Sequence, residues 1–391
     1  MNRLVNRRSV LRTAAASAVS AVCAVSKRSQ AASSAGIHEI TTISRQPKLY
    51  HGWPTLARCK DSELLVTYSG GREAHVCPFG RVEMIRSGDG GRAWGEPRVL
   101  LDSPIDDRDA GVLQTRQGSI LVTTFTSLAY EPILAQAEKS LGKPGAWPEE
   151  KLARWQAAHH ALSAEGRRAE LGTWMIRSTD GGRSWSARYD CLVDSPHGPI
   201  QLADGRLLYA GKELWRGENR VGVCESLDDG RSWRWLATLP TRPGDDHRNY
   251  HELHAVEAAD GRIVLQLRNH NKANYRETLQ SESGDGGRSW SRPHEIGVWG
   301  LPSHLVRLVG GRLLMTYGHR REPFGCQARV SDDHGRSWSE PIVVYGDGSG
   351  GDLGYPSTVE LDDGTLVSVW YEKMAGSPFA VLRQARWSLA D

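Results

Sequence analysis

Six short stretches of this 391-residue sequence gather the side chains that move protons and bind anions. They read YHGWP (50–54), DDRDAG (106–111), SPHGP (195–199), NYHELH (249–254), LPSHL (301–305) and GYPS (354–357). Each begins an apolar, strand-like run, and a strand buried in a sheet has no need of such polar groups. If the six starts converge, they form one concave mouth lined with His, Asp, Glu, Arg and Tyr, the composition of a functional site. His51, His197, His251, His254 and His304 fall within these stretches, with His75 and His319 close by. Histidine exchanges protons near neutral pH, tyrosine and carboxylates complete an acid–base set, and arginine holds carboxylates through paired, charge-assisted bonds. The set suits acid–base chemistry on an anionic substrate. Several of these histidines are equally well explained as hydrogen-bonding groups packed on Tyr or Trp, and their pattern calls for no metal.

The elements that would bring the six starts together are written into a repeat. The skeleton Ser-x-Asp-x-Gly-x-x-Trp occurs at 87–94, 178–185, 226–233, 283–290 and 331–338, at spacings of 91, 48, 57 and 48 residues. Periods of roughly forty to fifty residues mark propeller blades, each a four-stranded antiparallel sheet. Within each period an apolar strand meets a turn such as ADGR (203–206), ADGR (259–262), VGGR (309–312) or DDGT (362–365). A strand rich in β-branched or aromatic residues follows. In the repeated phrase, Ser and Asp can bond backbone N–H groups, Gly permits positive φ, and Trp can plug the gap between blades. It therefore reads as a turn staple; calcium binding by its Asp is conceivable but not indicated, and no cofactor is called for.

The 91-residue gap is a blade with an insertion. Residues 131–170 contain PEEKLARWQAAHHALSAEGRR, which has helical periodicity and few β-formers. The last blade lacks the phrase and is expected to borrow IHEITTIS (37–44) from the N-terminus, leaving no free sheet edge. The expected architecture is an all-β, six-bladed β-propeller over 37–391 with a helical insertion in blade 2.

Residues 1–32 stand apart. NRRSVLR (6–12) followed by the small apolar run TAAASAVSAVCAV reads as a twin-arginine export signal, too short and Ala/Ser-rich for a stable membrane span. The chain is expected to be exported, to the periplasm or beyond. The leader carries six basic residues and no acid, so the remainder has 43 basic against 46 acidic side chains, a formal −3. The apparent basicity belongs to the leader, and nucleic-acid binding loses its support. Five cysteines remain, odd in number and without a Cys-x-x-Cys, which points to scattered buried thiols.

Repeated boxes of this kind on a propeller resemble the sialidases (neuraminidases), and the resemblance covers nearly the whole chain after the leader. It implies roles for particular residues. Sialidases place a Glu on an inner strand and an Arg about fifteen residues later, matched by Glu252 and Arg268 in HELHAVEAADGRIVLQLRN. They place a nucleophilic Tyr at the start of the last blade and a Glu at the end of its second strand, matched by Tyr355 and Glu372. A further Arg one blade earlier is offered by Arg320 or Arg321. A carboxylate nucleophile would be repelled by the sugar's own carboxylate, so these enzymes use Tyr instead of the usual pair of acids. Glu252 would be its base, since free Tyr is protonated near neutral pH.

The sequence departs from that pattern in blade 1. Sialidases have Arg-Ile-Pro, whose Arg opens a triad that clamps the sugar carboxylate; here GWP puts Gly52 in that place. Glu372 then loses the arginine it should brace. The loop SGGREAHVCPFGR (69–81) has no Asp to act as acid; Arg72 is the expected substitute for the lost arginine, and Glu73 or His75 the expected acid. Asp109, His51, His197 and His304 are expected among the substrate contacts. Three readings follow. One is an exo-acting sialidase-type hydrolase on a glycan with an acidic terminal sugar. Another is a uronate-directed lyase or other exo-glycosidase, in which Arg neutralises the carboxylate and Tyr or His protonates the leaving group. The third is a non-catalytic glycan-binding propeller.

Overall fold

The computed structural model describes residues 35–44, 46 and 48–389; the leader lies outside them. Among these described residues, twenty-four strands form six four-stranded antiparallel sheets. The innermost strands are Tyr50–Arg58, Asp106–Gln114, Ile200–Gln201, Tyr250–Glu257, Ser303–Arg307 and Leu353–Glu360, for blades 1 to 6 in chain order. Blade 6 takes its outer strand from the N-terminus. Ala35–Thr42 pairs antiparallel with Ala380–Leu389, so the ring is closed by hydrogen bonds between the two ends of the chain.

Second strands such as Leu207–Lys212, Ile263–Asn269 and Leu313–His319 are buried on both faces, which is why they read as near-continuous apolar runs rather than alternating ones. Leu64, Val66 and Tyr68 of blade 1 pack on Val367, Val369 and Tyr371 of blade 6, and equivalent clusters fill the other seams. Each buried aliphatic side chain there contributes about 1.5–3 kcal/mol. The five cysteines beyond the leader are free and buried in these seams and in the insertion core.

The repeated phrase lies between third and fourth strands. In the blade-4 copy, Ser283 Oγ donates to Asp285 Oδ1 (2.8 Å) and accepts from Gly287 N (2.9 Å). Asp285 Oδ1 also takes the N–H groups of Arg288 and Ser289 at 3.0 and 2.9 Å. Gly286 and Gly287 have φ of +74° and +86°, the left-handed region in which a Cβ is disfavoured. Trp290 then packs into the blade 3–4 core with Leu208 and Leu236. Strand direction alternates, so the phrase ends up at the face opposite the inner-strand starts.

The insertion in blade 2 joins its second strand (Ile120–Ser127) to its third (Thr173–Ser178), and by the same alternation sits on the mouth face. It comprises α1 (Glu131–Lys139), α2 (Glu149–His160) and α3 (Ala164–Ala169). Its small core joins Tyr130, Leu134, Leu152 and Trp155 to Cys77 and neighbouring Phe79 of the blade-1 loop. No helix among the described residues is long and apolar enough to cross a membrane.

Candidate active site

Inner strands of blades 1, 2, 4 and 6 each break their register near the mouth. At each break one non-glycine residue takes a left-handed φ: Trp53 (+54°), Asp109 (+56°), Glu252 (+45°) and Tyr355 (+54°). Bulges re-aim side chains, and such strain persists only where surrounding structure enforces it. Here it turns four large or charged side chains toward one place.

Tyr355 Oη donates to Glu252 Oε1. Arg268 Nη1 donates to Glu252 Oε2 at 2.7 Å and lies 3.4 Å from Tyr355 Oη, so one guanidinium touches both members of the pair. The other side of Arg268 is fixed by Nε donating to His270 Nε2 at 2.7 Å. Arg320 stands over the Tyr355 ring, with Cζ 5.6 Å from its centroid, while its Nε donates to Leu353 O at 2.7 Å. Burial pushes the Glu252 carboxyl up, but the Arg268 charge, with bonds from Tyr355 and Arg268, outweighs it and the net direction is down. Burial, then the Glu252 charge, drives the Tyr355 phenol well above its ordinary value against the opposing pull of Arg268. The resting pair is therefore a neutral phenol on an ionised carboxylate, the state from which a base can take the phenol proton.

A second carboxyl group faces this pair. Asp109 is pushed up to about 7, first by burial and then by Glu252, despite Arg108, Arg72 and Arg268. Asp194 in blade 3 is raised as well, by burial and by the charges of Asp109 and Glu252. Asp109 thus stays protonated to near neutrality.

Trp53 occupies the blade-1 side. The Arg72 and Arg108 guanidinium carbons lie 4.8 and 4.4 Å from its ring centre, and His75, Tyr371 and Tyr355 pack at 5.1, 6.0 and 6.4 Å. His75 belongs to a polar hub. Asp352 Oδ1 accepts from Tyr50 Oη (2.9 Å) and Tyr371 Oη (3.2 Å), and His75 Nδ1 lies 3.1 Å from it and 2.8 Å from Tyr50 Oη. The single Tyr50 proton goes to Asp352, so the network assigns a proton to His75 Nδ1. That leaves Nε2, on a half-exposed ring, with no partner among the described residues.

The structure thus brings Tyr355, Glu252, Arg268, Arg320 and Asp109 together and disperses the other expected residues. Glu73 is not aimed at the mouth centre: it accepts from Arg154 Nε (2.8 Å) and Trp155 Nε1 (3.0 Å) of α2, and so ties its loop to the insertion. Arg72 does not replace the missing clamp arginine. It is fully buried and held by both Asp106 oxygens at 2.6 and 3.0 Å, with Ser69 Oγ and the His75 and Asp107 carbonyls taking further N–H groups. Arg321 lies outside, stacked 4.3 Å over Trp299. His51 is interior, its Nδ1 3.0 Å from Ser44 Oγ and its ring edge-on to Tyr68. Glu372 is buried in the blade 5–6 seam, accepting from Tyr345 Oη at 3.1 Å with Arg383 Nη1 at 3.9 Å, so its arginine comes from its own blade and not from the mouth.

His197 and His304 meet His254 in a buried cluster, with ring centres 4.5–5.4 Å apart. His254 Nδ1 accepts from Leu305 N at 2.9 Å and His304 Nδ1 faces Thr358 N at 3.4 Å, so both carry their proton on Nε2. That tautomer offers no lone pair there for a metal. Among the described residues no group of three or more His, Cys, Asp or Glu is arranged to hold a metal ion.

Residues that the sequence reading passed over include Trp53, Arg108, Asp194, Asp352, Tyr50 and Tyr371. One signal was available. Gly-Trp-Pro (52–54) and Gly-Tyr-Pro (354–356) are the same tripeptide frame, and both put an aromatic residue at the bulge.

Fold and boxes together define the class: a propeller of the sialidase and BNR-repeat superfamily. A family profile described as a BNR repeat-like domain matches residues 146–368, and the chain belongs to that family. A sialidase from Micromonospora viridifaciens is 26% identical over 374 residues, 86% of this chain and 51% of the relative; the chain spans about half the length of the curated relative it matches. A crystal structure of a protein of unknown function from Dyadobacter fermentans is similar with TM-score 0.72 and 22% identity, over 91% of this chain and 99% of that one. The intramolecular trans-sialidase from Ruminococcus gnavus, in complex with oseltamivir carboxylate, gives 0.60 and 13%, over 90% and 97%. At these identities the solved structures speak to the fold.

Proposed function

We propose that the mouth is the active centre of an exo-acting, retaining glycoside hydrolase that removes a terminal acidic sugar from a glycan. The observation that carries this reading is the Tyr355 hydroxyl seated on Glu252, with Arg268 touching both. Tyr355 Oη attacks the anomeric carbon as its proton passes to Glu252, and the glycosidic bond breaks. The leaving oxygen takes a proton from Nε2 of the doubly protonated His75 ring, whose other proton, on Nδ1, is held by Asp352 and Tyr50. Water, deprotonated by His75, then displaces the phenolate, which recovers its proton from Glu252. Arg268 and Arg320 face the sugar's anionic group, and protonated Asp109 contributes a hydrogen bond without adding a negative charge beside it. These steps use side chains alone and no cofactor. Reading residues 1–32 as an export leader puts the reaction outside the cytoplasm, where such glycans are met.

Glycoside turnover and covalent trapping test the reading. Release of free acidic sugar should fall by about 10³-fold or more in Tyr355→Phe, and a fluorinated sialyl fluoride should label Tyr355 in the wild type. Appearance of an unsaturated uronate instead of free sugar would move the reaction to the lyase class. Binding of acidic glycans without turnover would leave a lectin.

A further inference from the structure

Between blades 4, 5 and 6 the mouth opens into a cavity of about 160 Å³ lined by Arg268, Arg276, Trp299, Leu301, Arg320 and Gly351. No carboxylate lines it. Three guanidinium groups surround it, and two of them have no acidic partner. Arg268 commits Nη1 to Glu252 and Nε to His270, which leaves Nη2 free. Arg320 commits Nε to the Leu353 carbonyl, and its Nη2 lies 3.4 Å from Tyr371 Oη, which leaves Nη1 free. Arg276, on the loop after the second strand of blade 4, rests beside the Tyr275 ring at 5.3 Å, and its guanidinium has no hydrogen-bond or ion-pair partner among the described residues. Arg321, stacked on Trp299, adds a fourth positive charge behind the wall.

Like charges packed around so small a space repel one another unless an anion joins them. At roughly 30 Å³ per water the cavity holds about five waters, enough room for an oxyanion with its nearest atoms. On the opposite side of the mouth, where a third clamp arginine would stand, Trp53 fills the ground and Arg72 is consumed by Asp106.

We propose that this cavity is an oxyanion subsite in which Arg276 acts as the third guanidinium, so that the substrate's acidic group is held toward blades 4 and 5 instead of blade 1. The assignment rests on the reading of the mouth as a site for an acidic sugar, and it makes Arg276 a specificity-determining residue. Carboxylate and sulfate esters share the required chemistry, the first planar and the second tetrahedral.

Equilibrium dialysis of the protein with radiolabelled sulfate and, separately, acetate, at constant ionic strength, tests the subsite without turnover. One saturable site per chain is expected, with Kd raised about tenfold or more in Arg276→Gln. Arg276→Lys, which keeps the charge and loses the fork, should fall between, and Arg231→Gln, on the remote face, should match the wild type. The tighter of the two anions identifies the favoured geometry. Absence of saturable binding, or equal binding by Arg276→Gln, overturns the subsite. Arg276-dependent binding by a protein that turns over no acidic glycoside upholds the subsite and removes the hydrolase reading. Tyr355-dependent turnover with binding indifferent to Arg276 does the reverse.

Discussion

Replacing Asp109 by Asn should remove a specific pH dependence from the stability of this propeller. Asp109 is only 7% exposed, and burial followed by the Glu252 charge lifts its carboxyl from an ordinary 3.8 to about 7. The folded state therefore binds a proton that the unfolded chain has already lost between those values. Stability from this group is fully present below about pH 4 and is lost as pH rises through about 7. At about 1.36 kcal/mol per pKa unit, the loss is about 2 kcal/mol by pH 5 and about 4 kcal/mol by pH 8.5. Asn keeps the shape and the neutral charge and does not titrate. Urea unfolding of both proteins at pH 5 and pH 8.5 should show Asp109→Asn gaining about 2–3 kcal/mol on the wild type between the two. Asp194 acts in the same direction, because part of its own elevation comes from the Asp109 charge. A stability difference that moves by less than about 0.5 kcal/mol over that range would falsify the claim that Asp109 is protonated at neutrality. The idea that it spares an acidic sugar a carboxylate neighbour would go with it. The same protonation predicts that KM for an acidic glycoside rises above about pH 7 in the wild type and stays flat in the variant.

Two further predictions separate roles that sequence position alone confuses. Glu73→Gln should leave the pH–rate profile in place, since Glu73 is engaged by Arg154 and Trp155, whereas His75→Gln should lower kcat by about 10²–10⁴-fold and abolish the limb that reports the acid; equal losses in both would put the acid elsewhere. Arg72→Ala should destabilise by about 3–5 kcal/mol, because it takes away the guanidinium that binds both buried Asp106 oxygens and leaves only Arg108 Nη1, 3.5 Å away. A merely substrate-binding Arg72 would instead raise KM with the unfolding midpoint unchanged.

Much of the frame was legible because it is repetitive. A turn that needs a serine hydroxyl, an aspartate and left-handed glycines prescribes the same residues each time, so five copies fix the period and the face they occupy. The pairing of Glu252 with Arg268 was implied by the resemblance to sialidases, and the strands realise it by setting Arg268 opposite His251, beside the bulge that carries Glu252. Individual site assignments failed where a side chain's direction depends on a partner far away in sequence. Nothing around Glu73 announces an insertion helix that reaches it with Arg154, and Arg72 looks available until Asp106 closes on it from the next blade. Arg320 and Arg321 are adjacent in sequence and opposite in direction: one faces Tyr355, the other Trp299.

The bulges show what the departure in blade 1 means physically. Trp53 and Tyr355 hold equivalent strained positions in adjacent blades, each preceded by Gly and followed by Pro. In blade 6 that position delivers a hydroxyl to Glu252; in blade 1 it delivers an indole with Arg72 and Arg108 packed on it. An aromatic ring with two guanidinium neighbours, each contact worth about 0.5–2 kcal/mol, sets an apolar face where a clamp arginine would stand. Positive charge has not left the site: it is sequestered behind Trp53 on one side and left unpaired at Arg276 and Arg320 on the other. A substrate that fits this mouth must present its apolar face to blade 1 and its oxyanion to blades 4 and 5. A sugar anchored by a blade-1 arginine makes the reverse demand.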